Sequence, residues 1–270
     1  MDKFIVFYIL DIFNILDIFY KNNDAYYLNH WLVDKLGASF HTETVMFFDT
    51  YFLILVVPTL ILSMLAQVKV KSTFAKYSQV RCSKNISGRD AALLLLKANS
   101  INDVTVEAVR GTLSDHYDPG AKKLRLSEPV FARPSIAAVG VAAHEAGHAI
   151  QHARSYAPLV LRSTLVPVAN IGSSFGPWIA IAGFFFQFPL LLNLGIILFG
   201  AAVLFYLITL PVEFNASARA LAILQSNNIL TRDELDGAKK VLTAAALTYV
   251  ASALTAVMSL LRLILLSRRR

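Results

Sequence analysis

Apolar positions in this chain gather into a few long blocks. A helix crosses the roughly 30 Å hydrocarbon core of a bilayer with about 20 apolar residues. Residues 46–66 meet that length, with Asp49 near the start and Pro58 inside. The block 171–210 is too long for one crossing, and Gln187, Pro189 and Asn193 interrupt it midway. It predicts a spanning hairpin over residues 166–210. Gly172, Ser173, Ser174 and Gly176 loosen its first half, and small residues of this kind let membrane helices pack closely. A last block, 242–266, carries Arg262 near its end.

Residues 4–20 are apolar but short, and Asp11, Asn14, Asp17 and Lys21 recur at helical spacing. They predict an amphipathic, interfacial helix within an N-terminal extension, residues 1–45. A cleaved signal peptide is disfavoured, because Asp11 and Asp17 break the apolar run such a segment needs. His30 and His41 fall in a polar connector and read as loop histidines.

The pattern changes in 67–165 and again in 211–241. Residues 69–84 are basic and suit anionic headgroups. Ser87 with Asp90 reads as the cap of a helix over 91–98. Residues 104–109 alternate as a strand does, 116–120 read as a turn, and 123–126 as a returning strand. A long helix follows Ser135 and runs to about 156, where Pro158 stops it. Thr231 with Glu234 makes a capping box for the next helix. The fold class expected is mostly α: a polytopic helical membrane protein with a small α+β cytoplasmic portion.

Composition agrees. Hydrophobic residues make up 56% of the 270 and charged ones 16%, against about 45–50% and 25% in soluble domains. This excludes a disordered chain and disfavours a soluble one. The single cysteine, Cys82, excludes an internal disulfide framework and a cysteine-rich zinc module. The net charge of +7 would suggest nucleic acid in a soluble protein; here it reads as positive-inside bias, and no nucleic-acid partner is expected. Three basic residues oppose seven acids through Asp49, whereas 67–165 carries fourteen against seven. The polar block should therefore face the cytoplasm, in a multi-pass protein of the cell membrane with its N-terminus outside. Four full crossings would leave Arg268, Arg269 and Arg270 outside, so the sequence leaves 242–266 open between a crossing and a re-entrant helix.

The chemistry is concentrated in His144-Glu145-Ala146-Gly147-His148, an H-E-x-x-H match inside the long helix. Spacing of four sets both imidazoles on one face, where they can share an ion, while the glutamate flanks it as a general base. With six His and six Glu in the chain, chance gives such a match in roughly 0.3% of cases. Zn2+, one per chain, suits two imidazoles and a carboxylate with one position left open. His152 is too far along the helix to join, about 12 Å from His144 at 1.5 Å per residue, and reads as a surface residue near the site. Arg154 stands where an H-E-x-x-H-x-x-G-x-x-H pattern would need a third histidine. Glu213 is the expected third ligand: a carboxylate where the hairpin leaves the membrane, a costly place unless it is paired. The alternative is a helix N-terminal acid favoured by the macrodipole.

These residues, with Lys69–Phe74, Asp115-His116-Tyr117-Asp118-Pro119 and Pro211-Val212-Glu213-Phe214, resemble the bacterial YugP-like family of neutral zinc metallopeptidases over about residues 50–266. The architecture is also similar to HtpX-like membrane proteases, in which a spanning hairpin separates the motif helix from a glutamate ligand with alanine three residues on, as in Glu213 and Ala216. Ser217 stands where those enzymes usually carry aspartate, which leaves the partner of the histidines open. The resemblance implies peptide hydrolysis with zinc on His144, His148 and Glu213 and with Glu145 as base. His116 and Arg219 are candidates to stabilise an oxyanion; His116 could equally only shape its turn. The expected substrates are membrane proteins or peptides met at the bilayer. The competing class is a non-catalytic zinc-binding scaffold or assembly factor, which would need the same ligands but not Glu145.

Overall fold

The structure is a computed structural model that describes residues 49–268. The expectations for the N-terminal extension, including His30 and His41, and for the last two arginines lie outside the described residues. The chain falls into two units divided after Pro58. In the first, the π-helical turn Phe52–Val56 closes with Val57 N–H bonded to Phe52 O. It lies just ahead of Pro58, whose missing N–H disturbs ordinary helical bonding.

Helix α1 (Val57–Ser78) carries the chain into the second unit. There follow α2 (Gly88–Ala98), β1 (Thr105–Val109), β2 (His116–Asp118), β3 (Lys123–Ser127), α3 (Glu128–Ala132), α4 (Ile136–Ala153), α5 (Ala157–Phe185), α6 (Pro189–Ser226) and α7 (Arg232–Ser267). Among the described residues, four helices are long and apolar enough to cross a membrane: Phe52–Ser78, Ala157–Phe185, Pro189–Ser226 and Arg232–Ser267. Large apolar side chains stand outward on them; Leu190 is 70%, Ile197 69% and Val68 65% exposed. Water is a poor solvent for such a surface and lipid a good one. The protein is a mostly α-helical membrane protein with a small three-stranded sheet.

Two apolar cores lie among the described residues of the second unit. One surrounds α4 and joins Leu95, Leu96, Leu124, Leu126, Val139, Ile150, Leu224 and Val241. The other lies among α5, α6 and α7 and is built from Ala180, Leu192, Phe199, Ala202, Val203, Ala256 and Leu263. The hairpin closes tightly because Gly172, Gly183 and Gly195 set bare backbone against the opposite helix. A methyl group at any of the three would run into main-chain atoms.

Several elements differ from the sequence reading. Helix α4 ends at Ala153, where Ser155 takes a φ of 48°. Pro158 does not stop that helix; it lies in the first turn of α5, where a missing N–H is harmless. Helices α5, α6 and α7 run without a break through the expected boundaries at 165/166, 210/211 and 241/242. Those boundaries were set by polarity, and a helix can leave the bilayer without ending. Unbroken α7 is about 54 Å long at 1.5 Å per residue, ample for a crossing. The Ser87, Ser135 and Thr231 caps form as expected. In the sheet, ordered β1-β3-β2, β3 pairs parallel with β1 and antiparallel with β2. His116–Asp118 is thus a strand, too short to show alternation, and the tight turn comes after it. Arg125 on β3 binds Glu107 of β1 and Asp118 of β2, each at 2.8 Å, and ties the three strands together.

Helix α4 crosses α6 at Gly147. A Cβ there would stand 2.6 Å from Ala216 O, a backbone atom with little freedom to move. Gly147→Ala is expected to destabilise the protein by about 1–3 kcal/mol through overpacking. Gly200, whose Cβ would meet nothing within 4 Å, serves as control: Gly200→Ala should be neutral or stabilising by up to about 1 kcal/mol. Thermal unfolding in detergent checks both.

Candidate metal centre

Helix α4 presents His144 and His148 one turn apart, and α6 brings Glu213 against them. His144 Nε2 lies 3.2 Å and His148 Nε2 3.5 Å from Glu213 Oε2. The two rings meet edge to face with centroids 4.7 Å apart. The three donor atoms lie within 4.8 Å of one another, a group able to hold a metal ion. Tetrahedral zinc with bonds of about 2.1 Å separates its ligands by about 3.4 Å, close to the two distances found.

The chemistry of these donors supports the fit. Glu213 is 2% exposed, and its Oε2 is buried with no hydrogen-bond partner among the described residues. A buried carboxylate oxygen left without a donor is costly; a cation between it and the imidazoles removes that cost. The outer ring nitrogens are held by other groups. His144 Nδ1 is 3.0 Å from Ser217 Oγ, and His148 Nδ1 is 3.0 Å from Gln151 Oε1. Both Nε2 atoms therefore face Glu213, and partners of this kind are what orient metal-binding imidazoles. Ser217 follows Glu213 by four residues on α6, so one helical face supplies both the carboxylate and the His144 partner.

Arg162, on α5, is the residue that sequence reasoning missed. It is 8% exposed and its Nη1 donates to Glu213 Oε1 at 3.1 Å. Its guanidinium lies over the Phe205 ring, 6.0 Å from the centroid. The signal was available: an isolated cation in an apolar helix requires a partner. Glu145 sits between the two histidines and is 8% exposed. By helical geometry it stands about 100° from His144 and about 60° from His148 around the axis, beside the face that carries the imidazoles.

The other candidates lie outside this group. His116 is on β2, with Nδ1 2.9 Å from Ser114 O and Nε2 3.4 Å from Arg125 Nη1. One nitrogen donates to a carbonyl and the other accepts from a guanidinium, so the ring as placed has no donor for an oxyanion. Asp115 is buried and accepts from Ser127 N at 2.7 Å, which anchors the segment. His152 is exposed on α4, as the sequence suggested, and its Nδ1 is 2.8 Å from Tyr117 Oη. Burial, with Asp103 and Asp118 nearby, pushes the Tyr117 hydroxyl up to about 12, so it stays protonated. Arg219 donates to Asn215 Oδ1 at 2.6 Å and lies over Tyr156.

Comparison with known proteins supplies the family. A bacterial protein described as "Putative membrane protease YugP", from Bacillus subtilis (strain 168), is 51% identical over 215 residues, covering 80% of this chain and 96% of that protein. No solved structure matches the chain. The profile of the family described as "Putative neutral zinc metallopeptidase" matches residues 52–268, and the chain belongs to that family.

Proposed function

We propose that this protein is a membrane-embedded, zinc-dependent endopeptidase whose site faces the cytoplasm. The observation that carries the reading is the meeting of His144 Nε2, His148 Nε2 and Glu213 Oε2 from two helices, with that oxygen lacking a hydrogen bond. His144, His148 and Glu213 would hold the ion. Bound zinc supplies a Lewis acid that acidifies water and polarises a peptide carbonyl. Glu145 takes the proton of the attacking water on its carboxylate and returns it to the departing amide nitrogen. Arg162 occupies Glu213 Oε1, so that Oε2 alone turns to the imidazoles. Ser217 and Gln151 keep the two rings from rotating away. His116 takes no part, because both its nitrogens are engaged.

The depth of the site supports a substrate met at the bilayer. Glu213 follows the hairpin tip at Pro189 by about 24 residues, or about 36 Å of helix. If the tip reaches one face of a hydrocarbon core about 30 Å thick, Glu213 and Arg162 lie just beyond the other. The distribution of basic residues supports a cytoplasmic placement of that face. Membrane proteins, or peptides lying on the membrane, are the substrates such a site would meet first. A purely structural zinc uses four protein ligands as a rule. Among the described residues only three donors gather here, which favours an enzyme over a scaffold.

Purified protein should carry one zinc per chain by elemental analysis. Glu145→Gln should keep the metal and lose peptide cleavage by about 10²–10⁴-fold; unchanged turnover would defeat the mechanism. Arg162→Ala should weaken zinc binding by about 10–100-fold, as loss of a ligand's supporting partner does. Arg162→Lys should fall between that variant and the parent. Competition with a chelator measures both.

A further inference from the structure

Gln151 is fully buried and its amide nitrogen has two neighbours with fixed or traceable polarity. Its Nε2 lies 2.8 Å from Val212 O and 3.0 Å from Asn215 Oδ1. Asn215 Oδ1 in turn lies 2.6 Å from Arg219 Nε. An arginine nitrogen only donates and a main-chain carbonyl only accepts. The Asn215 atom facing Arg219 must therefore be its oxygen. The Gln151 atom facing both that oxygen and Val212 O must be its amide nitrogen. Its oxygen is then the atom 3.0 Å from His148 Nδ1, and an amide oxygen only accepts.

We infer that Arg219, Asn215 and Gln151 form a polarity relay that fixes the His148 ring proton on Nδ1 and leaves the Nε2 lone pair turned to Glu213. The relay rests, for its use, on the reading of His148 as a metal ligand. The three are positioning residues: none lies in the donor group, and they act through the imidazole. A second constraint, Val212 O, holds the Gln151 amide even without Asn215, so the relay is strongest at Gln151 and weaker at Arg219. The His144 side differs. Its partner, Ser217 Oγ, both donates and accepts, so that ring is oriented without its proton being dictated. The two ligands thus arrive differently prepared, one with its tautomer set by amide geometry and one free to exchange. Arg219, a candidate for the oxyanion in the sequence, is assigned here to holding a ligand instead.

Two measurements on zinc-free protein in lipid vesicles test this. In the first, ¹⁵N spectra of histidine-labelled parent protein are taken above neutral pH, with the His148 signals assigned by their loss in His148→Gln. The relay predicts the proton on Nδ1; a proton on Nε2 overturns it with no variant needed. In the second, zinc affinity by chelator competition and the same spectra are compared across variants. Gln151→Met should weaken zinc by about 10–100-fold and give mixed His148 tautomers. Arg219→Met should do so less, and Arg219→Lys, which retains a donor, should remain near the parent. Parent-like affinity and an unchanged tautomer in Gln151→Met would refute the relay. Absence of zinc binding by the parent would instead defeat the proposed function, while the tautomer measurement would still decide the relay.

Discussion

A carboxylate buried beside two imidazoles, one oxygen held by an arginine and the other by no hydrogen bond, is costly unless a cation or a donor reaches that second oxygen. Glu213 is in this position, and the rest of the site is arranged around it. Close helix packing brings it there: the bare backbone at Gly147 lets α4 approach Ala216 on α6, one turn from the carboxylate. The glycine inside the motif is thus a packing residue for a helix more than sixty positions away. The same helix supplies Ser217 to His144 and Asn215 to Gln151. One helix supplies a ligand and supports both imidazoles.

The architecture joins two solvents. The core around α4 is that of a small soluble domain, with leucines from the sheet and α2 closing over an alanine-rich helix. The core among α5, α6 and α7 is a membrane core, built on glycine and alanine contacts. Helices α6 and α7 run through both, and α5 packs against α6 along the hairpin. The hairpin therefore fixes the height of Arg162 and Glu213 along the same rods that would cross the bilayer. A change in hairpin packing would be felt at the ligands through rigid helix, with no loop to absorb it.

Much of this was legible in the sequence because it depends on local chemistry. The motif helix follows from its Ser135 cap and its spacing, and the hairpin from the polar break near Gln187. Glu213 could be nominated because a lone acid at a bilayer exit needs a reason. Arg162 was not found, although the same rule applied to it; its partner lies about fifty residues away and only folding joins them. Gln151 stands three residues after His148 on the same face, a spacing that allowed the contact but could not show the amide's polarity. Strand β2 was read as a turn because three residues cannot display a period. Pro158 was read as a stop because a proline that ends one helix and a proline that opens the next look alike until the backbone is known.

The central claim is that zinc is held jointly by His144, His148 and Glu213. Zinc-edge X-ray absorption of the metal-loaded protein, beside Glu213→Ala, tests it most directly. The account predicts a four-coordinate site with scattering from two imidazoles and oxygen donors at about 2.0–2.1 Å, and loss of affinity and of one oxygen in the variant. An unchanged spectrum and affinity in Glu213→Ala, or a sulfur shell, would contradict it.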